Sequence, residues 1–216
     1  MKLEEKKKIA KRAEEILEKT YPDAVCSLNY STPFELLIAT RLSAQCTDKR
    51  VNIVTKELFE RFKTPEDYKN AEVETIAEVI KTCGLYKQKA KDIKGMATLL
   101  IDKFQGVLPE TIEELLEFPG VGRKTANLIM GDIYNKPAVV TDTHFIRITG
   151  RLGLTKNTEP FKVEKDLAAL LTPEKSAAFC HRIVIFGREF CSARNPKCSV
   201  CPMKENCVYI KEKENG

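Results

Sequence analysis

No apolar run in the sequence approaches the roughly 18 residues that a membrane span requires. The first eight residues, Met1 to Lys8, hold no apolar stretch of the kind a secretory leader carries, so an unsecreted, cytoplasmic chain is expected. Histidine is nearly absent. His144 and His181 are the only two in 216 residues, too few for a histidine-rich metal site. Sustained period-two alternation is missing too, which leaves little for a sheet. The one β-like stretch, 138–141, is short, follows Pro137 and reads as a connector. No low-complexity linker divides the chain.

What is present suits a folded globular chain of one or two small domains, with 43% hydrophobic and 31% charged residues. Lys+Arg 36 against Asp+Glu 31 leaves +5, a balance that permits a polyanionic partner without demanding one. Eight cysteines are unusual without a leader and point to metal or catalysis before disulfides. Cys26, Cys46, Cys83 and Cys180 are isolated and read as small buried hydrophobes, except Cys46. Cys191, Cys198, Cys201 and Cys207 follow Cys-x6-Cys-x2-Cys-x5-Cys. Four such thiolates can close a tetrahedral zinc site or hold an iron–sulfur cluster; a single Cys-x2-Cys pair tilts the spacing towards the cluster.

The rest of the pattern is helical. Ile9, Ala13, Ile16 and Leu17 share one face of residues 3–19. Thr32-Pro33-Phe34-Glu35 has the form of a capping box with proline at N1, and Thr111-Ile112-Glu113-Glu114 has the form of a second. Thr64-Pro65 and Thr172-Pro173-Glu174 open further helices, and residues 88–104 form a long one. Phe118-Pro119-Gly120-Val121-Gly122-Arg123-Lys124-Thr125-Ala126 sits between helical stretches. Its Gly-x-Gly turn leaves backbone N–H groups bare beside a helix start near Gly122, which makes an anion site suited to phosphate. No strand and third glycine of a dinucleotide-binding turn accompany it, nor does a Walker lysine motif.

With Leu42-Ser43-Ala44-Gln45-Cys46-Thr47-Asp48, Gly84-Leu85-Tyr86, Leu116 to Ala126, Val140-Thr141-Asp142-Thr143-His144 and the terminal cysteines in this order, nearly the whole chain resembles the helix–hairpin–helix DNA glycosylases. The endonuclease III family among them is the most similar. The resemblance implies an all-α, two-domain helix–hairpin–helix glycosylase fold with a C-terminal iron–sulfur cluster loop. Residues 26–136 would form a continuous helical domain carrying the hairpin, and 1–25 with 137–216 a second domain. It implies a [4Fe–4S] cofactor on Cys191, Cys198, Cys201 and Cys207, and damaged double-stranded DNA as the partner of a monomer, nucleoid-associated if prokaryotic.

The same resemblance assigns catalysis to Lys124 and Asp142, expected to face the cleft between the domains. A neutral lysine amine can attack the anomeric carbon of a flipped nucleotide, expel the base and leave a Schiff base that permits β-elimination 3′ to the abasic site. A free lysine, near 10.4, is mostly protonated, so burial or cations such as Arg123 must favour the neutral amine. Asp142 would stabilise positive charge on the sugar while also capping the helix at Thr143. Lys124 argues for a bifunctional glycosylase and abasic-site lyase acting on oxidised or ring-saturated pyrimidines. A thymine or uracil mismatch glycosylase and a non-catalytic DNA-binding module are the alternatives. Gln45 and Leu85 match the family's wedges into the duplex. Gly120, Val121, Gly122, Arg123, Thr143, His144, Arg194 and Lys197 complete the expected DNA contacts, His144 with packing in the core as its alternative. Arg41 and Cys46, flanking the Gln45 motif, put fine specificity in doubt. Lysines 81, 87, 89, 91 and 94, together with Arg123, Lys124, Lys136, Arg147, Arg151 and Lys156, form the expected basic footprint.

Overall fold

Threonine caps set four of the helix starts, at Thr32, Thr47, Thr64 and Thr111, in the computed structural model, which describes residues 1–214. Its helices are α1 (Leu3–Thr20), α2 (Pro33–Ser43), α3 (Asp48–Arg61), α4 (Pro65–Asn70), α5 (Val73–Val79), α6 (Tyr86–Asp102), α7 (Ile112–Leu115), α8 (Arg123–Asp132), α9 (Thr143–Arg151), α10 (Pro160–Ala168), α11 (Ser176–Glu189) and α12 (Val208–Glu214). No strand occurs among the described residues, and 138–141 is an extended connector. At α2 the capping box forms in full: the Glu35 N–H donates to Thr32 Oγ1 at 3.1 Å, and the Thr32 N–H donates back to Glu35 Oε2 at 3.3 Å. Such a cap contributes about 1 kcal/mol. Thr64 and Asp67 make another box at α4.

Two expected starts differ. At Thr111 the Glu114 N–H donates to Oγ1, but the Glu114 carboxylate takes the Thr111 hydroxyl at 2.5 Å instead of a backbone amide, so the box is half formed. At Thr172 both the N–H and the hydroxyl donate to Glu14 of α1, at 2.7 and 2.8 Å. With its hydroxyl so engaged, Thr172 caps nothing. Pro173–Lys175 form one 3-10 turn before α11 begins at Ser176.

The chain divides into two compact units, Cys26–Tyr134 and Met1–Val25 with Asn135–Gly216. The junction falls at Asn135, two residues before the expected 137, where the backbone takes a left-handed φ of 52°. In the first unit α2 is apolar on nearly every side, and Leu36, Leu37, Ile38, Ala39 and Leu42 are fully buried. A helix of that kind has to lie at the centre of its unit. α6 packs against α2, α4 and α5. Tyr68 meets Phe34 edge-on at 5.7 Å and Phe62 at 4.9 Å. In the second unit Leu17 of α1 joins Phe145 and Ile148 of α9, Phe179, Ile183 and Phe186 of α11, and Met203, Cys207 and Ile210 in one core. The cysteine segment is therefore built into that core.

Candidate active site and nucleic-acid interface

In the unit Cys26–Tyr134, Gln45 lies exposed in the turn between α2 and α3 with φ 56°, and Leu85 at the start of α6 with φ 58°. Neither is glycine. A left-handed backbone at such residues costs of order 1 kcal/mol or more and persists where surrounding contacts hold it. Leu85 is also 60% exposed, an apolar side chain offered to solvent. The two turns are neighbours: a Cβ placed on Gly84 would stand 3.7 Å from the Gln45 carbonyl. Lys89 fixes the first of them. Its side chain is fully buried, and Nζ donates to the carbonyls of Leu42 and Ala44 at 2.8 Å each. Lys89 thus closes the C-terminal end of α2 from inside, and burial holds its ammonium below the ordinary lysine value. It does not belong to the basic surface. Lys81, Lys87 and Lys91 do, while Lys94 donates to Ala71 O at 2.7 Å.

The glycine turn rests on a buried ion pair. Arg41 of α2 donates through Nε and Nη2 to Asp92 Oδ2 of α6, at 2.7 and 2.6 Å, and Gln88 Nε2 donates to Asp92 Oδ1 at 2.8 Å. Gly120 sits directly on this pair with φ 72°. An added Cβ would overlap Arg41 Nε and lie 2.9 Å from Asp92 Oδ2. Gly120→Ala is therefore expected to cost about 2–4 kcal/mol, from the strained backbone together with the disturbed ion pair. Thermal unfolding checks this; an unchanged midpoint would show that the turn is not seated on Arg41. Gly122 marks the expected helix start. Its φ of −104° and ψ of 176° are ordinary extended backbone, and it serves as the N-cap of α8. The Val121 N–H donates to Phe118 O at 3.0 Å, so this amide is not one of the bare donors. α8 itself starts with no side-chain cap, and the positive end of a helix suits an anionic partner such as phosphate. Arg123 is half-buried at the first position of α8, and Lys124 is exposed at the second. Burial by the chain alone thus does not supply the dry surroundings a nucleophilic amine needs; a bound ligand has to exclude the water.

In the other unit Asp142 is the N-cap of α9, accepting the Phe145 N–H on Oδ1 at 2.7 Å. The cap fixes the carboxylate at the positive end of the helix. Thr143 is exposed. His144 is half-buried, with Nδ1 3.1 Å from Arg147 Nη2 and packed so closely on Gly187 that a Cβ there would come within 2.5 Å.

Arg147 and Arg151 also turn inward. Arg147 donates to Cys191 O at 3.1 and 2.9 Å. Arg151 Nη1 reaches Ser192 O at 2.8 Å and Cys191 Sγ at 3.1 Å, and its Nη2 reaches Ala193 O at 2.9 Å. The two guanidiniums pin the loop that exposes Arg194 and Lys197. In the sequence both read as surface charge. Their spacing of four on one helix, ahead of a cysteine loop poor in regular structure, is the one signal of this role that the sequence holds.

Cys191, Cys198, Cys201 and Cys207 line one cavity with Phe190, Tyr209 and Ile210. Burial, reinforced by the neighbouring thiols, pushes Cys201 and Cys207 up. Four thiolates cannot share this apolar space without compensating positive charge, which iron supplies. Among the described residues no three His, Cys, Asp or Glu side chains converge as a site for a single metal ion. Four thiols gathered round one cavity are the donor set that an iron–sulfur cluster uses.

Comparison with known proteins agrees with this geometry. Residues 38–173 match the HhH-GPD superfamily of base excision DNA repair proteins, and residues 191–207 match the iron–sulfur binding domain of endonuclease III. Endonuclease III of Synechocystis sp. is 44% identical over 193 residues, 89% of this chain and 88% of the relative. That of Bacillus subtilis is 42% identical over 188 residues, covering 87% and 86%. A solved structure of a trapped endonuclease III–DNA covalent intermediate superposes with a TM-score of 0.90 at 41% identity, covering 96% of this chain and 98% of that one. A thermostable thymine-DNA glycosylase, at 24% identity and a TM-score of 0.87, shares the fold. The chain belongs to the HhH-GPD superfamily of base excision DNA repair proteins and, within it, to the endonuclease III family, whose [4Fe–4S] cofactor it carries.

Proposed function

We propose that the chain excises oxidised or ring-saturated pyrimidines from duplex DNA and cleaves the strand 3′ to the resulting abasic site, with Lys124 as nucleophile and Asp142 as the charge-stabilising carboxylate. The observation that carries this reading is an exposed lysine at the second position of a helix whose start has no side-chain cap. Backbone amides there can hold a DNA phosphate while Nζ reaches the adjoining sugar. That a related endonuclease III has been captured as a covalent DNA intermediate supports a covalent step in this chain.

The sequence of events follows from the groups. The damaged nucleotide leaves the stack at a cost of a few kcal/mol. Gln45 and Leu85 enter the gap, one offering hydrogen bonds to the orphaned base and the other apolar surface. Nζ of Lys124, as the neutral amine, bonds to the anomeric carbon as the glycosidic bond to the base breaks. Asp142 stabilises positive charge on the ring. Nζ then loses a proton and the C1′–O4′ bond opens, O4′ taking up a proton, to give the Schiff base; this acidifies the neighbouring C2′ proton, whose removal expels the 3′ phosphate by β-elimination. Cys191, Cys198, Cys201 and Cys207 would hold the iron–sulfur cluster, whose metal–thiolate bonds would fasten the Arg194–Lys197 loop; base excision itself transfers no electron.

Borohydride reduction tests the reading, with duplexes carrying a ring-saturated pyrimidine, a thymine or uracil mismatch, or no lesion. A covalent adduct is expected on the first. Base release from the mismatches without strand cleavage would replace the reading with a monofunctional glycosylase, and binding without turnover would reduce it to a DNA-binding module. Asp142→Asn separates cap from charge, because asparagine caps helices about as well as aspartate. Stability is expected to hold within about 0.5 kcal/mol while excision falls on the order of 10²–10⁴-fold. Single-turnover kinetics beside thermal unfolding would show it, and an unaffected excision rate would remove Asp142 from the reaction.

A further inference from the structure

Cys46 and Cys83 are used by nothing described so far, and they meet. Cys46 is half-buried and immediately follows Gln45; its N–H donates to Ser43 O at 3.1 Å. Cys83 is fully buried and precedes Leu85 by two residues; its N–H donates to Ile80 O at 2.8 Å. Both belong to turns, not helices. The two turns touch: a Cβ placed on Gly84, next to Cys83, would stand 3.7 Å from the carbonyl of Gln45, next to Cys46, and the two thiols lie near enough for each to feel the other's charge. The buried Lys89 ammonium, which holds the Leu42 and Ala44 carbonyls, acts on both sulfurs.

We propose that Cys46 and Cys83 are a reversible disulfide site, oxidised by a low-molecular-weight disulfide, that fastens the Gln45 turn to the Leu85 turn. The chemistry balances as two exchanges. The Cys46 thiolate attacks one sulfur of the small disulfide, forming a mixed disulfide and releasing one thiolate. The Cys83 thiolate then attacks the Cys46 sulfur, forming the Cys46–Cys83 bond and releasing the second thiolate. The two protein sulfurs are oxidised, the small disulfide is reduced to two thiols, and these take up the two protons the cysteines give up.

The roles follow from exposure. Half-buried Cys46 is open to a reagent; Cys83 is not. Burial first, then the charge of Cys46, push the Cys83 thiol up to about 11, and the Lys89 charge opposes this. Cys83, fully buried, attacks only once its neighbour carries the mixed disulfide. Because the two turns already touch, an S–S bond of about 2.05 Å can form by their approach. In unsecreted proteins a disulfide of this kind is transient and redox-responsive. Its consequence for DNA rests on the proposed function, in which both turns reach into the duplex. Joined, they can no longer adjust separately, and a misplacement of about 1 Å at such a site costs up to 10²-fold.

The test uses the full-length protein with its cluster, treated with glutathione disulfide, its iron content followed throughout. In wild type, peptide mapping is expected to find a Cys46–Cys83 pair lighter by two hydrogens and reversed by a thiol reductant. Cys83→Ala should stop at glutathione on Cys46, and Cys46→Ala should remain unmodified at both positions. Affinity for an abasic-analogue duplex is expected to fall about tenfold on oxidation, return on reduction, and not respond to oxidation in Cys46→Ala. Absence of the linked peptide under conditions that glutathionylate Cys83→Ala would overturn the site. A linked peptide with unchanged affinity would overturn the fastening of the turns. Reduced protein that ignores the duplex altogether would overturn the proposed function instead, since the peptide readout needs no DNA.

Discussion

Lys124→Gln is expected to abolish the borohydride-trapped adduct and to slow base release by on the order of 10⁴-fold or more, the scale on which removal of a catalytic nucleophile acts. The substitution is mild for the fold. Lys124 is exposed at the second position of α8, and glutamine has a helix propensity close to that of lysine, so stability should move by no more than about 0.5 kcal/mol. What disappears is the amine, and with it the bond from Nζ to the anomeric carbon. Lys124→Arg sharpens the result. It keeps the positive charge for phosphate contact, so affinity for undamaged duplex should change little, yet arginine is not deprotonated in proteins and gives no Schiff base. Base release that survives in Lys124→Gln while strand cleavage is lost would mean that water attacks the sugar. An adduct of wild-type yield would place the reactive amine on another lysine.

The parts legible in the sequence are those whose physics is local. Thr32 and Glu35, three residues apart, announce the start of α2, and both hydrogen bonds of the box are there. The cysteine spacing announces a shared cavity, and the four thiols line one. The apolar face of residues 3–19 becomes α1. The parts not legible depend on partners far along the chain. Lys89 reads as one lysine in a basic stretch because nothing near it shows that its ammonium is buried against carbonyls at positions 42 and 44. Arg41 reads as a departure from the wedge motif; its meaning comes from Asp92, 51 residues on, and from Gly120 lying over both. Thr172 loses its capping role to Glu14, 158 residues away. Arg147 and Arg151 share a face whichever way the helix is read, and only the fold shows that the face looks onto the carbonyls of 191–193. The left-handed φ at Gln45 and Leu85 is likewise invisible, since neither residue type asks for it.

Cys201→Ser is expected to remove the cluster and lower the stability of the unit that carries it by roughly 4 kcal/mol or more, since structural metal sites contribute folding free energy directly. In thermal unfolding of a unit this size that corresponds to a shift of about 20 °C. The size follows from where the cysteines lie. Cys207 is buried in the same core as Leu17, Phe179 and Phe186, with Met203 and Ile210 beside it. Loss of the metal–thiolate bonds therefore loosens packing that reaches back to α1 and α11. It also leaves the loop held only by the bonds from Arg147 and Arg151 to the carbonyls of 191–193, with Cys191 and Cys198 no longer tied to a common cluster. Arg194 and Lys197 then lose their fixed positions, and the slope of log affinity against log salt should fall by about 2, near one for each phosphate that the loop no longer neutralises. Iron and sulfide content, unfolding temperature and salt-dependent DNA binding together decide it. A variant without iron that keeps the full slope would show that the loop holds its shape without the cluster. One that keeps the unfolding temperature would show that the apolar core alone carries the fold.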